Sequence, residues 1–111
     1  MGAKANIVID QGADFSTEIT VTDVNGTVVD LSGYTARGQL RKHYTSSTST
    51  DFTITFGSPR TDGIVSLALS NVQTANIAAG RYVYDAEIVS ASSIVSRLVE
   101  GIATITPEVT R

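Results

Sequence analysis

A chain of 111 residues with a net charge of −3 and an isoelectric point near 4.9 is one domain with a single core. Its acidic balance argues against a nucleic-acid binder, whose footprint is a basic excess. The absence of cysteine excludes disulfides and thiolate metal sites and leaves the compartment open.

No apolar run approaches the ~20 residues of a membrane span, so no membrane partner is expected. The opening MGAKANIVID lacks the hydrophobic core of a signal peptide. Asn6 stands where a myristoylation signal carries Ser or Thr. Charged residues make up 17% of the chain and Ser plus Thr about a quarter, the make-up of a β-protein with a weakly charged surface.

In chain order, Asn6 to Asp10 reads as a first strand, broken by Gln11-Gly12-Ala13-Asp14. Phe15, Thr17, Ile19 and Val21 then alternate with Ser16, Glu18, Thr20 and Thr22, the period of a half-buried strand. Asp23-Val24-Asn25-Gly26 predicts a hairpin, because Asn-Gly tolerates the positive φ of a type I′ turn. Thr27 to Leu31 returns from it. The turn also accounts for the formal glycosylation acceptor Asn25-Gly26-Thr27, which is expected to be unused.

After Ser32-Gly33, the residues Thr35, Arg37, Gln39 and Arg41 alternate with Ala36, Gly38, Leu40 and Lys42. One face is polar and the other small or apolar. Gly38 in mid-strand marks a bulge or a close neighbouring backbone. Tyr44 to Thr50 is polar and of low complexity, and is expected to be a mobile loop. Phe52, Ile54 and Phe56 form the inward face of the next strand, and Gly57 to Gly63 is a loop.

Val65, Leu67 and Leu69 alternate with Ser66, Ala68 and Ser70. Ser70 and Asn71 then stop the strand and cap a helical turn within Ser70 to Ala78. Gly80 gives a sharp re-entry to Tyr82, Tyr84, Ala86 and Ile88, which alternate with Arg81, Asp85 and Glu87. Here one sheet of a sandwich hands the chain to the other. Gly80-x-Tyr82 resembles the tyrosine corner, in which the hydroxyl ties the turn to its own backbone. Ser90 to Ser93 is a hairpin-like link. Ile94 to Thr106 is a long last strand, re-phased by a bulge near Gly101 and ended by Pro107.

Roughly seven to nine strands with regular turn signals predict an all-β, immunoglobulin-like antiparallel β-sandwich in one domain, residues 1–111. An immunoglobulin receptor domain would carry Cys at the position of Tyr84 and a core Trp. This chain has neither.

Candidate chemistry is sparse. His43 is the sole histidine, at a strand end with no orienting partner in view, so acid–base catalysis is not expected. Asp10, Asp14 and Asp62 are the only conceivable calcium ligands, and turn chemistry explains them better. No cofactor, metal or small-molecule substrate is expected, and the chain does not read as an enzyme. Arg37, Gln39, Arg41 and His43, with Lys42, form a small polar and basic stripe, the candidate protein interface. A solvated strand face that guards a sheet edge accounts for the same residues.

Three stretches together resemble a group of small bacteriophage virion proteins. They are DLSGYTARGQLRK (Asp30 to Lys42), DGIVSLALSNVQTANIAAGRYVYDAEI (Asp62 to Ile88) and RLVEGIATITPEVTR (Arg97 to Arg111). The resembling positions are Asp30, Leu31, Gly33, Tyr34, Arg37 and Arg41; Gly80, Tyr82, Tyr84 and Asp85; and Gly101, Pro107, Glu108, Val109, Thr110 and Arg111. The resemblance implies a virion component of a tail, baseplate or capsid-decoration assembly, with marine and cyanobacterial phages as the source. It implies other virion proteins and copies of the chain itself as partners. The alternative is a particle- or surface-attached binding module that recognises a host glycan.

Overall fold

The computed structural model describes residues 3–109. Met1, Gly2, Thr110 and Arg111 lie outside the described residues, and with them the start MG and the last two positions of the C-terminal motif. The strands are β1 (Ala3–Lys4), β2 (Ile7–Asp10), β3 (Phe15–Thr20), β4 (Thr35–Arg41), β5 (Thr50–Asp51), β6 (Thr53–Phe56), β7 (Ile64–Leu69), β8 (Gly80–Val89) and β9 (Val95–Thr106). One helix, α1 (Asn71–Ala75), and a 3-10 turn at Arg60–Asp62 complete them. A six-stranded sheet runs β1/β2-β9-β8-β4-β5, and a three-stranded sheet runs β3-β7-β6. The fold is an immunoglobulin-like β-sandwich.

The alternation read from the sequence is the burial pattern observed. Val65, Leu67 and Leu69 of β7 are buried in one sheet, and Tyr84, Ala86 and Ile88 of β8 with Ile9, Leu40 and Ile105 in the other. Each fully buried aliphatic contributes about 1.5–3 kcal/mol.

Between β7 and β8, Ser70 accepts from the Gln73 amide while the Gln73 side chain accepts from the Ser70 amide, a complete capping box. The Tyr82 hydroxyl donates to Ala78 O at 2.7 Å, which makes the tyrosine corner real. Thr74 is the one buried polar side chain among the described residues. Its Oγ1 accepts from Gly12 N at 3.0 Å and donates to Ala13 O at 2.9 Å, fastening α1 to the β2–β3 turn.

Several expectations need correction. The first strand does not join antiparallel: β1 and β2 pair parallel with β9, because the chain crosses to the other sheet at Gln11–Asp14 instead of turning back. Thr27 to Leu31 forms no strand, only the bridge Thr22–Val28.

The hairpin before it is not type I′. Gly26 N donates to Asp23 O at 3.0 Å and Asp23 N to Thr27 O at 2.9 Å. Gly26 has φ +81° while Asn25 is not in the positive region. This is a type I turn followed by a left-handed residue, held by the Asp23 carboxylate, which accepts from Asn25 N and Thr27 N.

The bulge in β9 lies at Leu98, not near Gly101. Ala86 pairs with Val99 and Glu87 with Arg97, so Leu98 is the extra residue. The bulge lets the consecutive Leu98 and Val99 both be buried, at 5% and 4% exposure. Gly101 is glycine for another reason. The Ala5 carbonyl occupies the space a Cβ there would need, and that same carbonyl accepts from the Tyr84 hydroxyl at 2.5 Å. Gly38, by contrast, meets the expectation of close approach: a Cβ would lie 3.0 Å from Asp85 O and 3.3 Å from Ile54 Cδ1.

The Ser90–Ile94 link repeats the Asp23–Thr27 turn, with Ser93 N on Ser90 O at 2.9 Å and Ser90 N on Ile94 O at 3.0 Å. Its left-handed position is occupied by Ser93, φ +65°, where the earlier turn has Gly26. Ser93→Gly should therefore raise unfolding stability by about 0.5–1 kcal/mol in urea denaturation, with an unchanged m-value. Gly101→Ala should lower it by about 2 kcal/mol or more. It should also speed amide exchange in β1 and β2, because the Ala5 carbonyl must move.

Candidate functional site

The outward side of the six-stranded sheet gathers most of the candidate residues. Register puts Arg37 beside Glu87 and Arg97, Gln39 beside Asp51, Asp85 and Glu100, and Arg41 beside Val83 and Ile102. Arg37, Gln39 and Arg41 project to this side because they alternate with the inward Ala36, Gly38 and Leu40. Lys42 and His43 do not join them. Lys42 follows the strand end, and its Nζ lies 4.8 Å from the centre of the Tyr82 ring. His43 sits in an exposed turn, its amide on Ser46 Oγ at 2.9 Å.

The basic stripe is half of a mixed lattice. Arg37 Nε donates to Glu87 Oε1 at 2.8 Å. Arg97 Nη1 donates to Glu100 Oε2 at 2.9 Å, and its Nε lies 3.6 Å from Asp85. Arg41 reaches no carboxylate. It donates to Ser46 O at 2.5 Å and to Gln39 Oε1 at 2.8 Å, while Gln39 Nε2 donates to Asp51 at 2.9 Å. The loop after β4, expected to be free, is thus gripped by Arg41 at Ser46.

A shallow depression of about 280 Å³ lies over this lattice, lined in part by Gln39, Arg41, Asp85, Arg97 and Glu100. Tyr44 stands at its rim, 83% exposed. Partial burial, followed by repulsion from Glu87, pushes the Asp85 carboxyl above the ordinary range, and Arg97 opposes the shift. On the inward side, burial pushes the Tyr84 phenol up.

Two of the three calcium candidates have carboxylates engaged in hydrogen bonds. Asp14 Oδ1 accepts from Asn71 N at 2.7 Å and Asn71 Nδ2 at 3.0 Å. Asp10 Oδ1 accepts from the Thr106 hydroxyl at 2.7 Å. Asp62 is exposed in the 3-10 turn.

No family model matches the chain, and no curated protein matches it. Solved structures do. An internalin-like protein of Listeria monocytogenes is 14% identical with a TM-score of 0.46, over 96% of this chain and 28% of that one. This chain therefore spans under a third of that protein's length. The filamin domain of Lin-41 is 16% identical with a TM-score of 0.46, over 89% of this chain and 82% of that one.

The raised Asp85 carboxyl has a definite sign in the stability balance. Between the ordinary carboxylate value and the raised one, the folded state binds the proton more tightly than the unfolded chain. Stability from this group is therefore full in acid and falls as pH rises through that window. Asp85→Asn should raise stability at neutral pH by up to about 1 kcal/mol, the scale of exposed charge interactions. It should give no gain at a pH where Asp85 is protonated. Thermal melts of both proteins across the acid range measure the difference.

Proposed function

We propose that this chain is a structural component of a bacteriophage particle, in a tail, baseplate or capsid-decoration assembly, and that it works by protein–protein contact. The observation that carries the reading is the charged lattice of Arg37, Arg97, Asp85, Glu87 and Glu100 on the outward face of the six-stranded sheet. A rigid array of opposite charges selects a complementary protein surface and rejects like-charged ones. The three stretches that resemble phage virion proteins support a particle as the setting, with other virion proteins and copies of this chain as partners. Host cytoplasm is then the place of synthesis and the virion the destination.

A second reading, recognition of a host glycan, is favoured by one observation. Tyr44, 83% exposed, borders the same depression as Gln39 and Asp85. An aromatic face beside planar hydrogen-bonding groups is the chemistry that holds a sugar ring.

Incorporation into particles tests the first reading, and glycan binding tests the second. Particles purified from infected host cells should contain the wild-type chain and lack Arg37→Glu/Arg41→Glu. A melting curve on the isolated variant checks that it folds despite the lost Glu87 pair. Absence of the wild-type chain from purified particles overturns the particle reading. Binding to a glycan array that Tyr44→Ala abolishes establishes the second.

A further inference from the structure

The strands with open sides differ in how they are guarded. An unpaired row of N–H and C=O groups invites another chain, and proteins protect such rows with charge, proline or bulges. β1 carries Lys4, β2 Asp10, β3 Glu18, β4 Arg37 and Arg41, and β5 Asp51. β6 is Thr53-Ile54-Thr55-Phe56, with no charge, no proline and no bulge.

The backbone of β6 shows which of its groups are free. Gly57 N donates to Ile64 O at 2.8 Å. In an antiparallel ladder, hydrogen-bonded pairs alternate with pairs whose groups point away. Thr55 and Thr53 therefore bond inward to Ser66 and Ala68, while Ile54 and Phe56 aim N–H and C=O outward. The outward row stops at both ends. Phe52 N is already on Gly38 O at 3.0 Å, and after Phe56 the next outward position is Ser58, followed by Pro59, which has no N–H.

We propose that β6 is a self-pairing edge: two copies join antiparallel along Thr53–Phe56 about a two-fold axis at Thr55. This deepens the particle reading, on which it rests, by naming one contact between copies. With the axis at Thr55, Ile54 of each copy lies opposite Phe56 of the other. Each Ile54 N–H then meets a Phe56 C=O and each Phe56 N–H an Ile54 C=O, about four bonds in all. An axis at Phe56 would set Ile54 against Ser58, which lies beyond the end of the strand. An axis at Ile54 would set Phe56 against Phe52, whose N–H is taken.

The two Thr55 side chains face each other on the outer surface, in the non-hydrogen-bonded pair where side chains come closest. The inward Ile54 and Phe56, both half-buried in one copy, continue their apolar row into the other. Two three-stranded sheets become one sheet. The remaining edge of that sheet, β3, is unsuited to the same contact, because copies paired there bring two Glu18 carboxylates onto one face. A four-residue contact is small, so the pair is weak and dissociates on dilution.

Sedimentation of the full chain over a wide concentration range tests the contact. Wild type should show a reversible monomer–dimer equilibrium. Thr55→Lys and Thr55→Glu, at an exposed position, should each fold normally and dimerise roughly fivefold more weakly, through like charges on the axis. Mixing the two variants should restore dimerisation by pairing opposite charges. Unchanged dimerisation of either variant, or no recovery on mixing, overturns the β6 contact. A wild type that stays monomeric at every concentration overturns it too. Neither result touches the particle reading, which fails separately if the chain is absent from purified particles.

Discussion

The handover at Phe52 holds this molecule together. Thr50 and Asp51 pair with β4 in one sheet, and Thr53 begins pairing with β7 in the other. The single residue between them is 6% exposed and meets Tyr84 edge-on at 6.0 Å between ring centres. Its amide is satisfied by the Gly38 carbonyl at 3.0 Å. Losing that partner would leave a buried donor unpaired, at a cost of about 1–3 kcal/mol. Because Gly38 has no side chain, Ile54 and the β8 backbone close in beside this bond. The register that places Gly38 inward is also the one that turns Arg37, Gln39 and Arg41 outward. The same bond ends the free edge of β6.

The three motif stretches singled out in the sequence hold, in this chain, largely fold-making positions. Hydrogen bonding by the Ser32 hydroxyl, then by its amide at 2.9 Å, holds the Asp30 carboxyl below the ordinary range. Gly33 is left-handed at φ +80° and Tyr34 N closes on Leu31 O at 3.1 Å, which buries Leu31. Gly80 and Tyr82 make the corner, and Gly101 and Tyr84 hold the N-terminal strand. Glu108 N donates to the Gln11 side chain at 3.2 Å. Such residues transmit an architecture. The motif positions Arg37 and Asp85 differ from these in facing outward, into the charged lattice, where partner choice would be written.

What could be read from the sequence follows from the range of the physics involved. The alternating strands, the Ser70–Gln73 cap and the Tyr82–Ala78 corner depend on residues at most a few positions apart. The long-range facts were less legible. Phe52, Ile54 and Phe56 alternate without a break, so nothing local marks the point where the chain changes sheets. A mid-strand glycine is a shared signal for a bulge and for close approach, and Gly101 carries the second meaning while Leu98 takes the bulge. Asn-Gly allows type I′, but the Asp23 carboxylate bonding to Asn25 N and Thr27 N selects the type I turn instead. The acidic half of the lattice was hidden because Glu87 reaches Arg37 and Asp85 reaches Arg97 across strands, and because Arg97 and Glu100, three apart on β9, share a face only through the Leu98 bulge.

Charge is distributed unevenly between the two sheets, and this bears on how an assembly could be built. The larger sheet has charged residues on its face and at its borders, which favours specificity and steered encounter over main-chain pairing. The smaller sheet presents Ser16, Ser66, Ala68, Thr53 and Thr55 outward, with Glu18 as the one charge on its strands. A surface of small hydroxyl side chains contributes little contact energy, so its useful feature is the backbone at its edge. β4 and β6 converge at Gly38. Arg37 projects outward from β4 while Gly38 meets Ile54 on its inward side, so the lattice and the β6 edge lie on opposite sides of β4. Copies joined along β6 could therefore present both lattices to a third protein, without any change in fold.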